Sequence, residues 1–292
     1  MKSGFVSIIG RPNSGKSTLL NRLVGEKVSI VTDKPQTTRR VVKGIVTRPE
    51  GQVVFLDTPG IHRPIHRMNE RMMKSVRDAM AGVDLILLIV DASAAFGRGD
   101  EFTVELLKPV KTGKILLLNK IDRIAKRDLL PMIERYSRLG DFEEIIPISA
   151  LKGENVETLL AQIFKRLAEG PMFYPSDQIS DQQERAIAAE MIREKLIVLT
   201  EEELPHSTAV VIDRFEEGDA LHRIYATIYV ERESQKGIVI GKGGQKLKDV
   251  GTAARQELES LFDRKVFLEL HVKVKKRWRD DEDALRSLGL AE

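Results

Sequence analysis

The sequence predicts two α/β units in series: a mostly parallel six-stranded sheet with helices on both faces, then a smaller α+β unit. Three observations carry this expectation. Over residues 1–168, short runs of β-branched residues and leucine alternate with helical patterns, which is the signature of buried parallel strands with crossover helices. A glycine-rich stretch, residues 10–17, joins the first apolar run to the first helix. After residues 169–180, which carry Gly170, Pro171 and Pro175 and no sustained period, the pattern changes to one long helix, a hairpin and a second glycine loop.

Composition narrows the class. The chain has 292 residues, 42% hydrophobic and 31% charged, enough for about two domains with sizeable cores. It has no cysteine, which excludes disulfides and thiolate metal sites and fits a reducing cytosol. Phe5–Ile9 is too short for a signal-peptide core, and the longest apolar run, Leu85–Val90, is far short of a membrane span. Net charge is +3, so electrostatic information lies in how charge is distributed.

Taken in order, the expected strands are Phe5–Ile9, Val53–Leu56, Leu85–Val90, Ile115–Leu118 and Ile145–Ile148, with Val41–Thr47 as an antiparallel edge strand. Helical stretches are Ser17–Val24, Arg67–Met80, Asp100–Val110 and Asp128–Leu139. Ligands of such sheets bind beyond the carboxyl ends of the strands, so chemistry should follow directly after apolar runs. It does so four times.

The first is Gly10-Arg11-Pro12-Asn13-Ser14-Gly15-Lys16-Ser17, with Thr18 next to it. The spacing G-x-x-x-x-G-K-[ST] between strand and helix suits a phosphate cradle. Backbone N–H groups turn inward, the helix N-terminus adds partial positive charge, Lys16 would reach the β- and γ-phosphates, and the Ser17 hydroxyl would bind Mg²⁺. The second is Asp57-Thr58-Pro59-Gly60, in which Asp57 can hold Mg²⁺ through water and Gly60 can offer its N–H to the γ-phosphate. The third is Asn119-Lys120-Ile121-Asp122. One carboxylate can accept both the N1–H and the 2-amino group of guanine. Adenine would leave Asp122 unpaired, which is costly in a buried site. Asn119 would tie this loop to the phosphate loop, and the Lys120 stem would cover the base. The fourth is Ser149-Ala150-Leu151, where the Ala150 N–H could meet the guanine carbonyl.

These four motifs, in this order, resemble the translation-factor class of GTPases. The resemblance implies an α/β P-loop GTPase domain that acts as a switch, with Gly60 and a threonine of Val31–Arg40 gripping the γ-phosphate and Mg²⁺ and releasing on hydrolysis. Thr37 and Thr38 are the candidates, and related families keep the threonine directly before an arginine, here Arg39, which favours Thr38. Many signalling G proteins place a glutamine after D-x-x-G to orient the attacking water. This chain has Ile61, which cannot. Asn13 matches an asparagine with which potassium-dependent relatives ligate K⁺ beside the phosphates, implying K⁺ as an added positive charge. The implied catalytic set is Lys16, Thr38, Gly60 and Asn13, and the implied Mg²⁺ set is Ser17, Thr38 and Asp57. His62 is expected to be a solvated switch residue rather than a base.

In the second unit a helical pattern runs from Asp181 to about Thr200. Ser207–Phe215 and Leu221–Glu231 read as a hairpin, and the apolar run Ile238–Ile240 leads into Gly241-Lys242-Gly243-Gly244. A helix over Gln245–Phe262 and a strand over Lys265–Lys273 follow. This order resembles the type-II K-homology (KH) domain, an RNA-binding module whose G-x-x-G loop lets nucleic-acid backbone approach closely. Residues 236–279 hold twelve Lys or Arg and five Asp or Glu, an excess of seven, which favours phosphate contacts. Candidate RNA contacts are Ile240, Gly241, Lys242, Gly243, Gly244, Lys246, Lys273, Lys275, Arg277 and Trp278. Trp278 either stacks on a base or anchors the tail by packing.

Together the two units resemble the Era family of GTPases over nearly the whole chain. The resemblance implies a GTPase domain at 1–168, a linker at 169–180, a KH domain at 181–279 and a tail at 280–292. It implies GTP/GDP and Mg²⁺ as ligands, and binding of the 3′ region of small-subunit (16S) ribosomal RNA during assembly of the 30S subunit. It also implies a cytoplasmic monomer with peripheral membrane contact, for which the sequence offers only its basic surface. Rival readings are fewer. A tRNA-modification GTPase needs a further domain, and a large-subunit assembly GTPase often has two GTPase domains where this chain has one phosphate loop. An RNA-binding protein using GTP only as a structural ligand, or a membrane-associated signalling GTPase, is separated by turnover and by lipid competition.

Overall fold

The computed structural model describes residues 1–200, 204–288 and 290. Contacts divide the chain into two compact units. One comprises Met1–Val31, Pro35–Pro64 and Met72–Asp181, and the other Thr32–Lys34, Ile65–Arg71 and Gln182–Glu292.

The first unit is built on a six-stranded sheet. In chain order the strands are β1 (Lys2–Ile9), β2 (Val42–Arg48), β3 (Gly51–Asp57), β4 (Leu85–Asp91), β5 (Gly113–Asn119) and β6 (Glu144–Pro147). Their spatial order is β2-β3-β1-β4-β5-β6. Only β2 runs antiparallel to its neighbour, as the edge position anticipated. Helices α1 (Lys16–Val24), α2 (Arg67–Met80), α3 (Arg98–Leu107), α4 (Leu129–Leu139) and α5 (Val156–Arg166) cover both faces. Because side chains alternate along a strand, Leu85, Leu87 and Ile89 join one core with α1 and α5, while Ile86, Leu88 and Val90 join the other with α2, α3 and α4. Both faces being buried is why these strands read as continuous apolar runs rather than alternating ones.

Two features depart from the sequence expectation. Helix α5 was not among the expected elements, although Val156, Leu159, Leu160, Ile163 and Phe164 recur at helical spacing and are all buried. Residues 169–181, whose stretch 169–180 is expected as the linker at the domain boundary, cluster with the first unit, which ends at Asp181, and are pinned along the edge strand. Ile45 N–H donates to Ile179 O (2.8 Å), Ser180 Oγ to Lys43 O (2.9 Å), and Lys43 Nζ pairs with Asp181 (2.7 Å). Buried Gln52 accepts from the Phe173 and Tyr174 amides (2.8 and 3.0 Å). The edge strand is thereby covered, which is one of the ways proteins blunt exposed strand edges.

In the second unit, α6 (Glu184–Leu199), a short α7 (Leu204–Ser207), α8 (Glu233–Ile240) and α9 (Gln245–Phe262) pack on a three-stranded sheet. Strands β7 (Ala209–Glu216) and β8 (Leu221–Val230) form the expected antiparallel hairpin, and β9 (Lys265–Val274) lies parallel to β8. The parallel pairing requires a crossover, and α8, the glycine loop and α9 supply it. Leu196, Ile228, Val230, Val239, Val250 and Val272 form the core. A final helix, α10 (Glu282–Ser287), is capped by Asp281, which accepts from the Ala284 amide (2.7 Å). Of the expected tail, residues 289, 291 and 292 lie outside the described ones.

Candidate functional site

The four strand-end motifs meet at the carboxyl edge of the first sheet. The phosphate loop leaves β1 and enters α1 through Gly15, whose φ of 101° lies in the left-handed region. A Cβ there would run into Asn119 Nδ2. The reason is visible in the hydrogen bonds. Asn119 is buried at the end of β5, donates to Ser14 O (2.8 Å) and accepts from the Ala150 amide (2.9 Å). One side chain therefore ties three of the four motifs together: the bond to the phosphate loop is the expected one, and the bond from Ala150 adds the fourth motif. The same bond occupies the Ala150 amide, which had been expected to face a guanine carbonyl directly.

Lys16 is buried at the loop's centre, its ammonium held by Gly10 O (3.2 Å) and Arg11 O (2.9 Å). Burial pushes its pKa down to about 8, and the nearby Asp57 charge opposes that shift. Burial pushes Asp57 upward, against Lys16 and the hydroxyls around it. Both groups thus sit in a place that penalises an unmatched charge, which is what a site built for a charged ligand does to its own side chains. Arg11 points out of the loop to Asp100 at the start of α3 (2.8 Å), and Pro12 packs against Gly60. Asn13, within the loop, is exposed with φ 61°. Thr18 lies on the first turn of α1 and is half-buried.

Three oxygens converge beside Lys16. Ser17 Oγ donates to Asp57 Oδ2 (2.6 Å), and Thr38 Oγ1 lies 2.9 Å from Ser17 Oγ. Of the two threonine candidates, Thr38 supplies this hydroxyl. Asp57 Oδ1 is buried without a hydrogen-bond partner among the described residues, and so is Ser14 Oγ. A hard cation takes oxygen ligands and keeps several waters. Two hydroxyls and a carboxylate with an orphaned oxygen fit Mg²⁺, which would neutralise phosphate charge there when bound. Thr58 anchors the Asp57 segment by donating to Ile8 O (2.8 Å). Pro59 and Gly60 follow as a buried irregular segment, Ile61 N–H donates to Gly10 O (3.0 Å), and the Ile61 side chain is part of the core. Ile61 is therefore unable to reach a water, as its chemistry suggested. His62 stays half-buried, with Nδ1 2.8 Å from Gly60 O.

At the base-recognition end, Asp122 Oδ1 accepts from buried Ser149 Oγ (2.6 Å), so Ser149 aims the carboxylate. Lys120, at φ 67°, pairs with Asp91 at the end of β4 (2.6 Å). Burial alone would raise the Asp91 pKa; hydrogen bonds from Lys120 and Ser93 outweigh it and hold the carboxyl below its usual value. Leu151 is exposed beside them.

Several positioning residues carry no motif. Ser29 Oγ donates to Asp57 Oδ2 (2.9 Å). Asn21 on α1 in turn clamps Ser29, accepting from its amide (2.9 Å) and donating to its carbonyl (2.7 Å). Arg22 donates to Ala150 O (3.3 Å) and Leu151 O (2.5 Å). Asp91 holds the base-covering lysine. The only sequence signal for them was position: Asn21 and Arg22 on the helix after the loop, Asp91 at a strand end.

In the second unit, Ile240 ends α8 and residues 241–244 form the glycine loop. Gly241, Gly243 and Gly244 have φ of 73°, 60° and 79°, and no atom lies within 4 Å of a Cβ placed on Gly243 or Gly244. The loop thus needs glycine for its backbone and presents that backbone to the outside. Lys242 is exposed and Lys246 half-buried on the first turn of α9, while Lys273 and Arg277 are exposed. Lys275 is half-buried and donates to Ser287 Oγ (2.6 Å). Trp278 corrects one expectation. It is fully buried, and its indole N–H donates to Ser207 O (3.1 Å). It anchors the end of the unit by packing and offers no face to a base.

Comparison with known proteins follows this division. Residues 5–120 match the family described as 50S ribosome-binding GTPase, and residues 203–279 match the KH domain family. The chain is similar to the crystal structure of Era in complex with MgGDPNP and nucleotides 1506–1542 of 16S ribosomal RNA, at 43% identity and TM-score 0.96, covering 100% of both chains. It is equally similar to a point variant of Aquifex aeolicus Era bound to GDP·AlF4⁻, at 43% identity and TM-score 0.96, again over 100% of both chains.

Proposed function

The chain belongs to the Era family of GTPases, and from that membership we propose that it is a GTP-hydrolysing switch that binds the 3′ region of 16S ribosomal RNA and assists assembly of the small ribosomal subunit. The observation that carries this reading is the extent of the match to the RNA-bound Era structure. It spans the whole chain, so the guanine site and the glycine loop both fall inside it.

The residues divide the work. Asp122, aimed by Ser149, selects guanine. Lys16 and backbone N–H groups of the loop would hold the phosphates, and Ser17, Thr38 and Asp57 would hold Mg²⁺. Loss of the γ-phosphate would free Thr38 and Gly60, which is how a hydrolysis event becomes a conformational one. With Ile61 in the core, water must be positioned without a side chain at that place, and transition-state charge needs another source. K⁺ at Asn13 is the reading we favour, supported by the exposure of Asn13 within the phosphate loop. The basic glycine loop takes RNA backbone, with Lys242, Lys246, Lys273 and Arg277 supplying charge. The protein acts in the cytoplasm. Any peripheral membrane contact rests on the same basic surface, and among the described residues no helix is long and apolar enough to cross a bilayer.

Gly243→Asp tests the assignment. It places an anion where RNA phosphate should sit, at a position with open space around it. GTP turnover without RNA should be unchanged, while affinity for a 3′-terminal 16S fragment falls. Unchanged RNA affinity would overturn the role of the loop. Turnover measured in K⁺ and in Na⁺ tests Asn13, and equal rates would remove the K⁺ role.

A further inference from the structure

The two oxygens of the buried Asp57 carboxylate have different surroundings. Oδ2 accepts from Ser17 Oγ (2.6 Å) and from Ser29 Oγ (2.9 Å), while Oδ1 is buried without a hydrogen-bond partner among the described residues. Ser17 belongs to the phosphate loop and is itself part of the Mg²⁺ set. Ser29 belongs to no motif. It lies in residues 25–41, which form neither helix nor strand, yet it is only 3% exposed.

Helix α1 fixes this serine. Asn21, on the last turn of α1, accepts from the Val28 and Ser29 amides (3.0 and 2.9 Å) and donates to Ser29 O (2.7 Å). Buried backbone groups of an irregular segment need such partners, so the clamp by itself is ordinary architecture. It uses only the backbone of residue 29, however, and alanine there would satisfy it equally. The hydroxyl is therefore an addition to the clamp, and it is directed at Asp57. Groups that hydrogen-bond a metal-serving carboxylate hold its orientation and tune the affinity for the metal.

We infer that Ser29 is a positioning residue for Mg²⁺: its hydroxyl, held in place by Asn21, pins Oδ2 of Asp57 and leaves Oδ1 to the cation, so that Mg²⁺ is retained beside bound GDP. The inference rests on the guanine-nucleotide reading above. Thr38 comes from the same irregular segment and serves the triphosphate state. Ser29 is clamped to the helix that also carries Ser17, and so would hold Asp57 in the diphosphate state as well.

The test is release of N-methylanthraniloyl-GDP from the full-length protein, chased with unlabelled GDP over a series of free Mg²⁺ concentrations and in EDTA. Mg²⁺ should slow release from wild type with a single midpoint. Ser29→Ala should move that midpoint to about tenfold higher Mg²⁺ or more and leave the rate in EDTA as in wild type. Asn21→Ala should move it in the same direction, and the double variant no further than the larger single change, because both act through one hydroxyl. Should Asn21→Ala be poorly folded, Ser29→Ala decides by the same comparison. An unmoved midpoint in Ser29→Ala overturns the inference. So does release changed by the same factor in Mg²⁺ and in EDTA, which is what a merely structural role would give. Wild-type release indifferent to Mg²⁺ overturns the Mg²⁺ set itself, and the inference with it.

Discussion

Asn119→Ala is the most informative single change in the nucleotide site. In the structure Asn119 makes two buried hydrogen bonds, one to Ser14 O and one from the Ala150 amide. Alanine deletes both partners at once and leaves a carbonyl and an N–H orphaned. Each unsatisfied buried group costs about 1–3 kcal/mol, so the expected loss is about 2–6 kcal/mol. The bonds exist within the protein itself, so most of this loss should appear in the stability of the first unit and not only in ligand affinity. Urea unfolding of protein freed of nucleotide measures it directly, with the midpoint falling and the slope unchanged. Because Asn119 is a brace and not a base reader, affinity for guanine and xanthine nucleotides should fall together. Asp122→Asn is the matched control, since it keeps the brace. A variant Asn119→Ala that unfolds within about 1 kcal/mol of wild type while losing GDP affinity would refute the reasoning and make Asn119 a ligand contact alone.

Three further outcomes follow from named contacts. Asp122→Asn exchanges an acceptor for a donor, so nucleotide competition should show preference moving from GTP towards xanthosine triphosphate, with fold stability close to wild type. Lys16 has a folded pKa of about 8 against an ordinary 10.5. Between these values the unfolded chain binds more protons, so the stability of nucleotide-freed protein should rise with pH across that window. The rise should vanish in Lys16→Met and when MgGDP fixes the ammonium in its charged form; an identical pH profile in Lys16→Met would show that other groups produce it. Trp278→Ala removes a fully buried indole and should cost about 3–5 kcal/mol in the second unit by thermal or urea unfolding. Trp278→Phe should keep RNA affinity, whereas a base-stacking role would make both changes weaken RNA binding in folded protein.

The strand-end motifs were legible because each is local. A glycine pattern, a D-x-x-G, an N-K-x-D and the apolar run before each lie within a few residues, and strand topology alone places them at one edge. What lay hidden was long-range. Ser29 meets Asp57 across 28 residues, Asp91 meets Lys120 across 29, and Arg22 meets Ala150 across 128. A serine, an aspartate and an arginine of ordinary type give no sign of such partners. Trp278 shows a different limit. A tryptophan in a basic stretch suits stacking and packing equally, and only its burial against Ser207 separates them. The stretch 169–180 was misleading for a third reason. Its prolines and glycine correctly mark the absence of helix and strand periodicity, but composition cannot register that Ile179 and Ser180 bond to the backbone of β2.

The central claim is that one chain couples a guanine-nucleotide state to 16S RNA binding. Its most direct test is crosslinking of the full-length protein to 16S RNA in the MgGDPNP and MgGDP states, with the crosslinked nucleotides mapped. The account predicts crosslinks from the 241–244 loop to the 3′-terminal region, stronger with MgGDPNP than with MgGDP. Crosslinks of equal strength in both states, or none in that region, would contradict it.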